Sequence, residues 1–262
     1  MATSNDKSIE SLDNQQKLES LKRLRENVNW EIEDERQIDW LLSEAVRSKY
    51  KYEDKTEFVE FVVRTGYKDE PEVDKDGQPL LNRTTPIHIA GRHKYCFLVQ
   101  KLFEIYHRFD VNYTDELGMT HFHVACQSRH CLLEMIKFLD LGQDPNCHPP
   151  PLRLAIARGH DSAIRHLLQR GADPNLADAK GLTALHIICK DYTSEITSAN
   201  ILFRFSGEKN QLINVNALDK FGRTPLHYAL MIEWPKKNLS KRYWIETPTR
   251  IWLISMDSHL CI

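Results

Sequence analysis

The chain repeats one short phrase. Thr85-Pro86-Ile87-His88-Ile89-Ala90 returns as Thr120-His121-Phe122-His123-Val124-Ala125, as Thr183-Ala184-Leu185-His186-Ile187-Ile188 and as Thr224-Pro225-Leu226-His227-Tyr228-Ala229. A damaged copy, Pro150-Pro151-Leu152-Arg153-Leu154-Ala155, lies between the second and third of these. Successive copies begin 35, 30, 33 and 41 residues apart. Units of this size bury their apolar faces mainly against their neighbours, so the expected shape is a stack and not a globule around one centre.

A second element recurs in phase with the first. It reads Phe109-Asp110-Val111-Asn112, Gly142-Gln143-Asp144-Pro145-Asn146, Gly171-Ala172-Asp173-Pro174-Asn175 and Asn214-Val215-Asn216. The two elements together resemble the T-P-L-H-x-A and G-A-D-x-N signatures of ankyrin-repeat proteins, over roughly Leu81 to Glu233. The resemblance implies an all-α ankyrin-repeat solenoid of stacked helix-turn-helix units with β-hairpin-like fingers. Repeats are expected at about 81–114, 115–147, 148–177 and 178–218, with an incomplete one at 219–239. Pro86, Pro151 and Pro225 fit first-turn positions, where the missing N–H is no loss. Thr85, Thr120, Thr183 and Thr224 fit the preceding N-caps. The finger entering the third repeat is short, because Asn146 and Pro150 are 4 apart where Asn175 and Thr183 are 8 apart.

The flanks are read from periodicity. Ile38, Leu41, Leu42, Ala45 and Val46 share one helical face, and Phe58, Phe61 and Val62 share a second that stops near Gly66. Residues 34–66 are therefore expected to form a degenerate N-terminal helical cap, followed by an acidic loop at 67–80. Residues 1–33 form a polar segment with Leu18, Leu21, Leu24 and Val28 at helical spacing, too few for a coiled coil. After Glu233 the pattern stops. Moving the possible codons beyond Asn238 by one base permits an outer-helix pattern followed by another T-P-L-H. The tail at 240–262 is thus expected to be out of frame within a longer repeat protein.

Composition narrows the function. The net charge is −2, divided as 13 Lys/Arg against 20 Asp/Glu in residues 1–80 and 22 against 17 in the rest. That balance lacks the clustered basic face of a nucleic-acid binder. No apolar run approaches the ~20 residues of a membrane span. The six cysteines lack paired spacing, which fits a reduced protein of the cytoplasm or nucleus.

The repeated histidines, His88, His123, His186 and His227, invite a metal reading that geometry opposes. Packed helices lie ~8–10 Å apart, whereas ligands of one zinc lie within ~4 Å of one another. The resemblance gives these imidazoles a structural role, hydrogen-bonded between neighbouring turns. Cys126 and His123 lie three apart on one helix, but a thiol buried in an alanine-like slot stays protonated. With no G-x-S-x-G, phosphate loop or H-E-x-x-H, the chain is expected to be a monomeric, cofactor-free, metal-free scaffold or adaptor and not an enzyme.

The resemblance places partner contacts on the finger tips and the first exposed inner-helix positions, on a concave side. Here these are Glu116, Leu117 and Met119; Ala179, Lys180 and Leu182; Lys220, Phe221 and Arg223. The inner-helix positions are Arg92, His93, Gln127, Ser128, Arg158, Lys190, Asp191, Met231 and Ile232. Leu117, Met119, Leu182, Phe221 and Met231 are apolar where exposure is expected, the composition of interface anchors flanked by Arg. Packing on the neighbouring finger is the alternative for some of them, Leu182 above all. The function expected is binding of another protein. The alternative is the substrate-recruiting arm of a ubiquitin ligase or host-directed effector whose effector segment lies outside this chain.

Overall fold

The computed structural model describes residues 35–49, 51–190, 196–208 and 211–233. Among them are eleven helices: α1 Glu35–Arg47, α2 Tyr52–Thr65, α3 Pro86–Arg92, α4 Cys96–Ile105, α5 His121–Gln127, α6 Leu132–Asp140, α7 Pro151–Ala157, α8 Asp161–Gln169, α9 Ala184–Lys190, α10 Ile196–Glu208 and α11 Pro225–Glu233. The segments 1–33 and 240–262, and Asp191, lie outside the described residues.

As far as α10, a shorter inner helix packs against a longer outer one in each repeat. The inner helices α1, α3, α5, α7, α9 and α11 pack in succession, and α6, α8 and α10 do so on the outer side. One apolar core runs along the stack from Ile38 to Leu202, with Phe122, Phe138, Leu98, Leu102, Ile164 and Leu167 fully enclosed. Such a core is divided among junctions, so each repeat depends on its neighbours. At Gly91 the inner helices come close, since a Cβ there would stand 2.7 Å from Val124 Cγ1 of the next inner helix.

The helix pair α1–α2 continues this register, with α1 against α3 and α2 against α4. Lys55, almost fully buried, donates to the Val46 and Ser48 carbonyls at 2.7 and 2.6 Å. It thereby covers the otherwise unpaired end of α1 with a cation, where the helix dipole favours one.

Residues 67–80 are more ordered in form than a plain loop. Asp74 Oδ1 accepts from the Asp76 and Gln78 amides, and the turn closes through Gly77 with φ near +76°. Asp115–Met119, Asp178–Leu182 and Asp219–Arg223 repeat the same turn, each with its glycine in the left-handed region. These turns are the fingers. Their hairpin character is reduced to isolated bridges, Val73 with Pro79 and Thr114 with Thr120, and no strand occurs among the described residues. The Asp carboxylate takes over the work of a ladder by accepting the amides that a two-stranded ribbon would pair.

A buried polar network joins α1 to the first two repeats. Arg83 contacts Asp69 and lies 3.9 Å from Asp39, while its guanidinium covers the Tyr113 ring at 4.5 Å. Tyr113 donates to Asp69 at 2.7 Å, and Tyr106 donates to Asp39. Burial pushes the Asp39 carboxyl above its usual range, against the pull of Arg83. Removing one member of a buried ion pair strands the other. Arg83→Met is therefore expected to lower stability by about 3 kcal/mol, with Asp69→Asn in that background restoring part of the loss; chemical denaturation of the four variants measures this coupling.

Candidate interaction surface

The repeated histidines hold their own threonine and, at two levels of the stack, the chain at the next finger. In each, the backbone N–H of the preceding threonine donates to Nδ1, at 3.1 Å for Thr85–His88, 3.0 Å for Thr120–His123, 3.1 Å for Thr183–His186 and 3.0 Å for Thr224–His227. An Nδ1 that accepts leaves the proton on Nε2. That proton is donated forward, from His88 to the Tyr113 carbonyl at 3.2 Å and from His186 to the Arg223 carbonyl at 3.1 Å. At the shortened finger, His123 Nε2 meets Cys147 Sγ at 3.4 Å instead. His227 is exposed.

His121 is a further buried histidine. Its Nε2 lies 2.6 Å from Thr85 Oγ1, and the rings of His88, Phe103, Tyr106 and Tyr113 surround it. Burial holds His88 and His123 down to about 4, and pushes His121 far down as well, from an ordinary 6.5. All three are neutral at pH 7.

The folded state then binds fewer protons than the unfolded one as pH falls from about 6.5 towards 4. Stability contributed by the neutral rings is full above about 6.5 and is lost as pH falls through that window. His88 and His123 are each expected to cost about 2 kcal/mol between pH 7 and pH 5. Denaturant titrations at the two pH values measure it, with His121→Phe giving a shallower dependence.

Arg153 occupies the histidine slot of the third repeat. It lies 3.5 Å from the Asp178 carboxylate of the next finger, and its Nε is buried without a hydrogen-bond partner. A second contact column holds this repeat in place. Asn146 donates to the Gly171 carbonyl at 3.1 Å and accepts from the Asp173 amide at 2.7 Å. Asn175 does the same one repeat on, with the Leu212 carbonyl and the Asn214 amide.

The structure sorts the expected contact residues into groups. Arg92 bonds Asp115 at 2.7 Å and Glu116 at 2.8 Å, while exposed His93 stacks on Tyr95. Leu117 is exposed and Met119 half-buried on that finger. Gln127 accepts from Arg158, whose carbonyl is in turn held by Arg129. Ala179 is exposed at its finger tip.

Six others converge with two residues that the sequence reading omitted. Lys180, Leu182, Lys190, Phe221, Arg223 and Met231, together with Asp219 and Tyr228, line an open hollow of about 430 Å³ between the last two fingers and the inner helices. Phe221 is 73% and Met231 59% exposed. Arg223 lies over the Phe221 ring at 5.1 Å, and Tyr228 donates to Asp219 at 2.6 Å. Lys220 joins the two fingers, its amide donating to the Lys180 carbonyl at 3.0 Å. Only glycine fits at 181, because a Cβ there would stand 2.9 Å from Asp219 Cα.

Two expectations of exposure fail. Leu182 is 5% exposed, since its side chain turns under the finger into the core and only edges the hollow. Ser128 is 2% exposed, being the C-cap of α5 with its amide bonded to the Ala125 carbonyl. Asp191 falls outside the described residues, as does the side chain of Ile232. Tyr228 and Asp219 were legible in principle. Asp219 opens the fourth Asp-x-x-Gly turn, and Tyr228 follows the repeated histidine on the same helix.

Burial pushes the Cys126 thiol far up and Cys189 up to about 12, so both are protonated at neutral pH. Among the described residues no three His, Cys, Asp or Glu side chains converge as metal ligands would. Nor is any helix among them long and apolar enough to cross a membrane.

Comparison with known proteins agrees with this architecture. The pattern of the family described as ankyrin repeats (3 copies) matches residues 152–233. The chain carries ankyrin repeats. It is 41% identical over 83 residues to ankyrin repeat and MYND domain-containing protein 1 of Mus musculus, covering 29% of this chain and 9% of that protein. It is 38% identical over 80 residues to an E3 ubiquitin-protein ligase of Arabidopsis thaliana, covering 30% and 14%. It is 27% identical over 154 residues to transient receptor potential cation channel subfamily A member 1 of Drosophila melanogaster, covering 56% and 13%. The matched stretch thus spans about a tenth of the length of each relative.

The hollow and the histidine bridges predict opposite effects of substitution. His186→Ala, which removes a bond to the next finger, is expected to cost about 1–3 kcal/mol of stability. Phe221→Ala, at an exposed tip, is expected to change stability by less than about 0.5 kcal/mol. Thermal melts of the two variants provide the comparison.

Proposed function

We propose that the chain is a non-catalytic protein-binding module that engages its partner with the finger tips and inner helices. The observation that carries this reading is the hollow between the last two fingers. There Phe221 and Met231 stand exposed beside Arg223 and Tyr228, whereas the aromatic residues deeper in the stack pack on one another. Exposed aromatic and Met side chains flanked by Arg are what binding hot spots are made of. Repeats of this class present a surface, and chemistry has to be added to them at a specific site. The working compartment proposed is the cytoplasm or nucleus, where unpaired thiols are kept reduced.

A narrower reading makes the repeats a substrate-recruiting arm of a ubiquitin ligase. The match to the plant E3 ubiquitin-protein ligase favours it. In that case the captured partner gains ubiquitin in a reconstituted reaction with the longer protein and loses it when the hollow is altered.

The test is cross-linking of the full chain in cell extract, with the captured proteins identified by mass spectrometry. A partner bound through this face is expected to be lost with Phe221→Ala and Met231→Ala, at a cost of more than about 1 kcal/mol each. Retention of every captured protein by both variants would overturn the reading.

A further inference from the structure

The finger face is divided by charge, which bears on what it binds. At its N-terminal end the cation is already answered, since Arg92 bonds both Asp115 and Glu116. At its C-terminal end the reverse holds. Lys180, Lys190 and Lys220 are exposed, and among the described residues none of them forms an ion pair. The two acids of these fingers are occupied within their own structure. Asp178 Oδ1 accepts the Lys180 and Leu182 amides, and its other oxygen faces Arg153. Asp219 accepts the Phe221 and Arg223 amides and the Tyr228 hydroxyl. Lys180 and Lys190 therefore line a hollow whose floor is aromatic and thioether, Lys220 stands exposed next to Phe221 on the last finger, and the carboxylates are turned inward.

We propose that this end of the face takes an acidic peptide segment bearing one large apolar side chain. The inference rests on the protein-binding reading above and specifies the partner's chemistry. The apolar side chain seats against Phe221, Tyr228 and Met231, in a volume of the order of small ligand sites, ~300–1,000 Å³. The carboxylates on either side meet Lys180, Lys190 and Lys220. Opposed charge steers the encounter and rejects basic competitors, while the apolar contact supplies residence time.

A nucleic acid would also seek cations and aromatic rings, but the geometry disfavours it. Single strands bind by stacking bases on free aromatic faces. Here Arg223 already lies over Phe221 at 5.1 Å and Tyr228 at 6.0 Å, and Lys190 lies 6.0 Å from the Tyr228 ring.

Fluorescence anisotropy of the full chain tests the proposal. The probe is a labelled peptide of Glu and Asp residues flanking a single Trp, with two controls: every acid replaced by Lys, and the Trp replaced by Ser. Saturable binding is expected for the acidic Trp peptide, at least tenfold tighter than either control and weakening as salt rises. The triple variant K180E/K190E/K220E is expected to lose at least tenfold in affinity with an unchanged melting temperature, since all three side chains are exposed. Equal binding by the Lys peptide, no saturable binding, or indifference to the charge reversal would overturn it. So would tighter binding of a labelled single-stranded RNA than of the acidic peptide. If the cross-linked partner is lost with Phe221→Ala yet kept by the charge-reversed variant, the binding module stands and its acidic preference falls.

Discussion

The first junctions of the stack depend on buried imidazoles, His88 and His123, that must stay neutral. Nδ1 takes an N–H from its own repeat, and Nε2 gives a proton to the next. A protonated ring would put two donors where one acceptor is required, in a place where burial already penalises charge. The bond is short in reach but fixes orientation, because the accepting carbonyl belongs to the following finger. Two fingers, Asp115–Met119 and Asp219–Arg223, are thereby aimed by the repeat before them. The hollow between the last two fingers exists because His186 holds the Arg223 carbonyl and the Lys220 amide holds Lys180.

The stack was legible in the sequence because its signals are local and repeated. The phrase beginning at Thr85, Thr120, Thr183 and Thr224 placed four inner helices, and the asparagine element placed the turns between repeats. Six of the eight residues that line the hollow are among the positions that the resemblance implies, read in repeat phase. What phase could not give is depth. Leu182 and Met119 occupy the same finger position, yet Leu182 is buried and Met119 half-exposed. The difference arises because finger Asp178–Leu182 has the next finger pressed against it at Gly181, a tertiary fact. Ser128 misled for another reason. It follows an exposed-looking helix end, but the chain turns inward there, and its carbonyl accepts the Cys131 amide.

Two features were hidden by composition. The acidic stretch at 67–80 reads as a loop because its Asp, Glu and Pro suit one, although Asp74 and Gly77 carry the spacing of the later fingers. The network of Asp39, Asp69, Arg83, Tyr106 and Tyr113 draws on residues up to 74 positions apart. No periodicity joins them, and only the docking of α1 against α3 brings them together.

The third repeat shows what two contact columns allow. It has lost the histidine and most of its finger, yet Asn146 still clasps the backbone of the following turn. A stack joined along two separate seams can have one seam opened at a single level without coming apart there. Fingers in such an array are therefore free to shorten, lengthen or change character one at a time, and the surface they make can be re-cut while the spine behind it is conserved in form.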